Sequence, residues 1–244
     1  MGKSRRRIQL LLLLALVVLP ATVALAAPSQ KDISRAIYAA VKPPDAGRQS
    51  HVIFWANPNE DTNRNGRIPR SIEFRFARGF NIDRGAIPAR CDSGHAQAFS
   101  CPSDSQIGSA SLVAAVQNGA RQASGKLKLY LGTAKRATHG PVAANVRAGG
   151  HRRATTGRLA HIHDWVYSYS LRIDRLDKAT GGRLERIRAD IGSTHKVERN
   201  GHVKRVSLIT NPKICSGGWH YEVAITYTDG TRHWGDGVAS CTEN

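Results

Sequence analysis

Residues 125–132, GKLKLYLG, decide the fold class of this chain. Leucine alternates there with lysine or tyrosine at every position between two glycines. Successive side chains of a β-strand point to opposite faces of its sheet, so this alternation predicts a strand with one buried face and one solvated face. The stretch therefore indicates a sheet that packs against a core on one side.

Similar short segments recur along the rest of the chain. Residues 71–76 alternate apolar side chains with Glu73 and Arg75, and Thr228-Asp229-Gly230 is typical of a hairpin turn. The other predicted strands are residues 51–56, 110–117, 142–146, 165–173, 183–191, 203–209, 221–227 and 231–234. About ten short strands separated by turn residues predict an all-β fold, either a β-sandwich of Ig-like or jelly-roll-like form or a barrel.

Residues 1–27 have the three parts of a secretory signal peptide. Lys3 and three arginines precede an apolar run at residues 8–19, and Ala24-Leu25-Ala26 fits the small-residue rule for cleavage. We therefore expect an exported protein, extracellular or associated with the cell envelope. The apolar segment is nearly long enough to span a bilayer, so retention of residues 1–27 as a membrane anchor is the alternative.

After the signal peptide, the chain divides into a lead-in segment at residues 28–49 and one β-sandwich domain at residues 50–244. Apolar residues with helical spacing at residues 32–41 predict a short N-terminal helix, which Pro43-Pro44 ends. No later stretch has about 18 consecutive apolar residues. Once the signal is removed, we therefore expect no membrane partner. We also expect the protein to be a monomer.

The charge balance is strongly basic. Lys and Arg number 36 against 18 Asp and Glu, which gives a formal net charge of +18. Cleavage after the signal would remove four basic residues and leave a charge of about +14. Such a field attracts anionic polymers. Apart from short pairs such as Arg152-Arg153, the basic residues are dispersed among acids, so a soluble surface without any partner is the other interpretation.

Four cysteines in an exported chain predict two disulfide bonds. Three pairings can be drawn, and we favour the two that are local in sequence, Cys91 with Cys101 and Cys215 with Cys241. The second would tie the start of one strand to the C-terminal tail across the last hairpin. The spacings lack the short C-x2-C pairs of zinc sites, which argues against a cysteine-bound metal.

Two cysteine segments resemble a family of secreted actinobacterial proteins of unknown function. The shared features are Gly79-Phe80, the Ala-x-Pro-x-x-Cys segment at residues 86–91 and the Cys-Pro-x-x-Ser-x-Ile-Gly segment at residues 101–108. Asn211-Pro212 before Cys215 also fits. The resemblance implies a β-sandwich with two local disulfides, and it carries over no activity.

Residues 61–68, DTNRNGRI, match the first half of a calcium-binding loop. Asp61, Asn63 and Asn65 would supply closely spaced oxygen ligands, and the following glycine allows the sharp turn. The twelfth position of such a loop, normally an acid, is Ile72 here. Asn, Asp and Gly are also ordinary turn formers between strands, and this is the competing interpretation.

His161 and His163 are the second candidate for a metal site. In a strand these two side chains would share one face, as H-x-H pairs that bind zinc do. A third ligand would be needed, and His220 or His233 could supply it. The alternative is a pair of exposed strand histidines with no ligand.

Aromatic residues near the last predicted hairpin form a candidate ligand-binding surface. Its members are Trp219, His220, His233 and Trp234. Aromatic faces there could stack on sugar or base rings. The other two tryptophans, Trp55 and Trp165, fall in predicted strands and are expected in the core.

No catalytic motif stands out in the sequence, so the catalytic residues are predicted as none and the protein as non-enzymatic. We expect neither a required cofactor nor a specific nucleic-acid partner, with calcium or zinc as the open cases. The leading hypothesis is a secreted protein that binds or decorates the cell envelope by attracting an anionic polymer to its basic surface. The alternative is a secreted metal-dependent or carbohydrate-active enzyme.

Overall fold

The computed structural model describes residues 36–58, 67–116, 121–133 and 139–243. The predicted signal peptide at residues 1–27 lies outside this range. So do Asp61, Asn63 and Asn65 of the predicted calcium loop, which stays a prediction.

Strands dominate the described chain, as the sequence predicts. The strands are β1 (Ile37–Lys42), β2 (Gln49–Ala56), β3 (Pro69–Ala77), β4 (Asn81–Ile82), β5 (Gln106–Val116), β6 (Arg121–Leu131), β7 (His139–Ala148), β8 (His151–His161), β9 (Tyr167–Ile173), β10 (Arg183–Ile191), β11 (Thr194–Arg199), β12 (His202–Ser207), β13 (Ile209–Thr210), β14 (Trp219–Tyr227) and β15 (Arg232–Ala239). Two helices accompany them, α1 (Ser93–Gln97) and α2 (Leu176–Thr180). Each helix has five residues and is therefore too short to cross a membrane.

One antiparallel sheet contains nearly all of these strands. Its order is β15-β14-β3-β9-β8-β7-β6-β5-β10-β2-β13-β4. Strand β1 pairs with the edge of β2 opposite to β10. Strands β11 and β12 form a separate hairpin. Although six strands separate β2 from β3 in this order, the rings of Phe54 and Phe74 stack with centroids 4.8 Å apart. The sheet therefore folds over on itself and buries one face in a common core, and the predicted all-β, sandwich-like fold is confirmed.

Strand β6 shows how the sequence pattern builds this core. Its three alternating leucines are fully buried, and Lys126 and Lys128 on the opposite face are exposed. Tyr130 departs from the simple pattern, because the Cys91 segment and α1 cover the outer face there and bury it with Ala96 and Ala143. The outer face of the sheet is thus partly covered at this point.

The predicted N-terminal helix is wrong for its described half. Residues 37–41 belong to strand β1, which pairs antiparallel with β2 along its whole length. Ile37, Ala39 and Val41 enter the core, and Tyr38 and Lys42 face outwards. Ile37 and Val41 fit both the helical and the strand periodicity over so short a segment, and pairing with β2 decides between the two.

Both predicted disulfides are present. Cys91 is bonded to Cys101 and Cys215 to Cys241, and the described chain contains no free cysteine. The second bond joins the segment before β14 to the segment after β15, where these strands already pair from Trp219 to Ala239. It therefore fastens the C-terminal tail to the hairpin.

Candidate functional site

The two histidines predicted to bind metal, His161 and His163, lie next to each other. Their rings are 5.0 Å apart between centroids, and the ring of His161 is also 5.0 Å from that of Tyr169. Strand β8 ends at His161, so His163 lies in the following loop rather than in the strand. Within the described residues, no group of three or more His, Cys, Asp or Glu side chains could hold a metal ion.

The hairpin of β14 and β15 does not gather the predicted aromatic surface into one cluster. Trp219 lies opposite Ala239 and His233 lies opposite Ile225, six ladder positions away, which corresponds to about 20 Å. His220 and His233 also have opposite parity in the ladder and therefore face opposite sides of the sheet. These histidines thus neither meet each other nor complete a ligand set.

The structure reverses the predicted places of two tryptophans. Trp219 is only 4% exposed, with its ring against Phe80 and its indole Nε1 donating to the carbonyl of Ile214 at 3.0 Å. Trp165 is 90% exposed, because β9 begins only at Tyr167. The carboxylate of Asp164 accepts a hydrogen bond from the backbone N–H of Val166 at 2.8 Å, and this turn lifts Trp165 out of the strand.

Trp234 and Trp55 occupy the outer side of the sheet. Trp234 lies opposite Ala224 and is partly exposed. Trp55 is also partly exposed, with the ring of Tyr38 at 5.0 Å and the guanidinium of Arg188 5.3 Å from its ring centre. The prediction that Trp55 lies in the core is therefore wrong.

A cluster of charges that the sequence did not predict lies on the outer face of β3, β14 and β15. Arg75 is 3.2 Å from a carboxylate oxygen of Glu73 and 3.4 Å from one of Glu222, and Arg232 lies 3.6 Å and 3.9 Å from the same two acids. Burial raises the pKa of Glu222, and the two arginines oppose that shift. Since each acid faces both arginines, the cluster is electrically balanced and holds three strands together.

Tyr167 borders this cluster and provides a test of it. Burial, together with the nearby carboxylates of Glu222 and Asp236, raises the pKa of Tyr167 from its ordinary value of 10.0 to about 12. A raised pKa favours the neutral phenol in the folded state, so this stabilising contribution is complete below pH 10 and is lost as pH rises through about 12.

We therefore expect Tyr167→Phe to gain stability relative to the wild-type protein as pH rises from 10 to about 12. The measurement is urea unfolding of both proteins at several pH values, with Tyr38→Phe as the control because the Tyr38 side chain is exposed. A difference between Tyr167→Phe and wild type that does not change with pH would contradict the assignment.

One cleft of the described structure is lined by basic side chains. It has a volume of about 780 Å³ and lies between α1, the first half of β8 and α2. Strand β9 pairs with β8 only from Gly157 to His161, and residues 152–156 of β8 line the cleft consecutively. The last of these, Thr156, accepts a hydrogen bond at its carbonyl from the backbone N–H of Asp174 at 2.8 Å. Apolar side chains, including Phe99 and Ala143, form the rest of the wall.

Among the described residues that line the cleft, four are cations and one is an acid. The cations are Arg152, Arg153, Arg175 and Lys178. The acid, Asp92, is already engaged, since one carboxylate oxygen accepts from the backbone N–H of His95 at 2.8 Å and the other lies 2.7 Å from the His95 ring nitrogen. These hydrogen bonds lower the pKa of Asp92. Within the described residues, none of the four cations forms an ion pair.

Two residues of the cleft have an unusual backbone conformation. Phe99 has φ of 57° and Arg175 has φ of 53°, both in the left-handed region that disfavours side chains with a Cβ atom. Each such residue costs about 1–3 kcal/mol, and strain of this kind is concentrated at functional sites. The Arg153 guanidinium also donates to the carbonyl of Lys178 at 2.9 Å, which fixes one wall of the cleft against α2.

Sequence reasoning found only part of this site. It singled out the basic pair Arg152-Arg153, but Arg175 and Lys178 follow a different strand and gave no local signal. Comparison of the chain with protein-family models, with curated proteins and with solved structures found no match. The resemblance to secreted actinobacterial proteins therefore stays a prediction, and the role of the chain has to be sought in the chemistry of its own side chains.

Proposed function

We propose that this protein is secreted and binds an anionic polymer of the cell envelope, without catalysis, through its basic cleft. The observation that carries the proposal is the set of four cations that line the cleft, where the one acid among the described lining residues is hydrogen-bonded to His95. The N-terminal signal and the two disulfides support an oxidising, extracellular setting.

The side chains of the cleft suit anion binding. Guanidinium groups present several N–H donors in a plane and bind carboxylate, sulfate or phosphate groups through paired hydrogen bonds. The volume of the cleft falls within the range of about 300–1,000 Å³ that is typical of ligand sites. Cys91, the one cysteine that lines it, is bonded to Cys101 and is not available as a nucleophile.

Retention of the purified protein on isolated cell envelope tests the proposal. We expect binding at low salt that moderate salt abolishes, because contacts between charged groups are screened. The double variant Arg153→Gln, Lys178→Gln should elute earlier than a control with the same loss of charge, Lys196→Gln, Arg205→Gln, in the β11–β12 hairpin. Failure of the wild-type protein to bind at low salt would refute the proposal.

A further inference from the structure

A row of outer-face side chains crosses six neighbouring strands. In the registers of β2, β10, β5, β6, β7 and β8, each member of this row lies directly opposite the next. Its members are Trp55, Arg188, Ser111, Lys126, Arg147 and Arg152. We call these six residues the cationic row. Because residues that face each other across a ladder share one side of the sheet, all six point to the same surface.

The cationic row contains three like charges in succession. Lys126 lies opposite Arg147, and Arg147 lies opposite Arg152. Like charges that face each other across a ladder destabilise a sheet. Within the described residues, no carboxylate forms an ion pair with these three or with Arg188. Protection of a sheet edge does not explain the charges either, since β6 and β7 have neighbours on both sides.

The cations are concentrated in a strip one residue wide. The outer-face row on one side contains Lys128, together with Ser109, Asn145 and the acid Asp190. On the other side, Arg186 lies opposite Val113, which lies opposite Ser124. Each flanking row thus has one cation, whereas the cationic row has four. This distribution fits a ligand that is a single chain thick better than it fits a duplex or a membrane surface.

The two ends of the cationic row differ in chemistry. At one end, Arg152 also lines the basic cleft. At the other, Trp55 contacts Tyr38, which is 56% exposed. With strands about 4.8 Å apart, the cations from Arg188 to Arg152 extend over about 19 Å. A polymer lying along the row would meet an aromatic pair first, then a line of cations, then the cleft.

We propose that the cationic row binds a linear anionic polysaccharide, which lies across the strands from the Tyr38–Trp55 pair to the basic cleft. The proposal rests on the proposed function and specifies its ligand and path. Arginine and lysine pair with the carboxylate or sulfate groups of the polymer, and the aromatic pair stacks against a sugar ring at its end.

The test compares two double variants that remove the same charges from exposed, directly opposed Lys–Arg pairs. Lys126→Gln, Arg147→Gln removes the centre of the cationic row, and Lys196→Gln, Arg205→Gln removes the corresponding pair from the β11–β12 hairpin. The probes are heparin oligosaccharides of increasing length, with affinity measured by calorimetry on the folded protein. We expect the row variant to lose about tenfold in affinity and the control less than twofold.

Equal affinities of the two variants for the oligosaccharides would overturn the proposal. In that case, binding of the oligosaccharides by the wild-type protein would still support the proposed function. Tyr38→Ser identifies the ligand class, because it should weaken binding of the oligosaccharide and leave binding of inorganic polyphosphate, which has no rings, unchanged. Tighter binding to single-stranded DNA or to anionic lipid vesicles than to the oligosaccharides would also overturn the assignment.

Discussion

Replacing Phe54 by alanine is expected to lower the free energy of unfolding by about 3–5 kcal/mol. The Phe54 side chain is fully buried on β2, and its ring packs against Phe74 and Phe76 of β3 and Tyr221 of β14. These partners come from the far part of the strand order, so the ring joins the two layers of the folded sheet. Its loss leaves a cavity where the layers meet.

Urea unfolding followed by tryptophan fluorescence measures this effect. Val203→Ala is the control, because Val203 is 69% exposed on β12 and its truncation should change stability by no more than about 0.5 kcal/mol. If Phe54→Ala costs as little as Val203→Ala, Phe54 does not join the layers and the described packing is contradicted.

Replacing Asn211 by alanine should lower the free energy of unfolding by about 3–5 kcal/mol, although it removes less core volume than Phe54→Ala. The Asn211 amide is buried and donates hydrogen bonds to the carbonyls of Pro43 and Asp45, at 2.9 Å and 2.8 Å, while its oxygen accepts from the Ser50 hydroxyl. Alanine would leave the buried Ser50 hydroxyl without its acceptor, at about 1–3 kcal/mol, and would remove one hydrogen bond from each of the two part-buried carbonyls, at about 0.5–1.5 kcal/mol each. The Asp45 carbonyl would keep the bond that it accepts from the backbone N–H of Arg48.

The variant Asn211→Asp distinguishes the effect of losing the donated hydrogen bonds from the effect of losing side-chain volume. Aspartate has nearly the same volume, but an ionised carboxylate cannot donate to the two carbonyls. We expect it to destabilise the protein about as much as alanine, with faster amide exchange at residues 46–48. A variant Asn211→Asp as stable as wild type would show that the two donated bonds contribute little.

The sequence predicted best those features that depend on short-range periodicity. The alternation in β6 is confirmed because burial of every second side chain is a property of one strand and its core. The disulfides are confirmed because both pairs are close along the chain, 10 and 26 residues apart. Local pattern was insufficient at residues 37–41, where pairing with β2 turned a helical spacing into a strand.

The candidate functional surface and the charge cluster were predicted least well because they depend on pairing between distant strands. Glu73 and Glu222 meet only because β3 and β14 are neighbours, and Lys126, Arg147 and Arg188 align only through the registers of β5, β6, β7 and β10. Trp165 was misplaced for a local reason, since the alternation continues into a turn that Asp164 closes. Neither the register of a sheet nor the exact start of a strand is determined by apolar spacing alone.

The most direct test of the central claim is the salt dependence of binding to a linear anionic polysaccharide. If the four cations of the row each displace counterions from the polymer, the logarithm of the association constant should fall with the logarithm of salt concentration with a slope of about −3. Lys126→Gln, Arg147→Gln should reduce the magnitude of that slope by about 1.5, and Lys196→Gln, Arg205→Gln should leave it nearly unchanged. A binding constant that is independent of salt, or the same slope in both variants, would contradict the account.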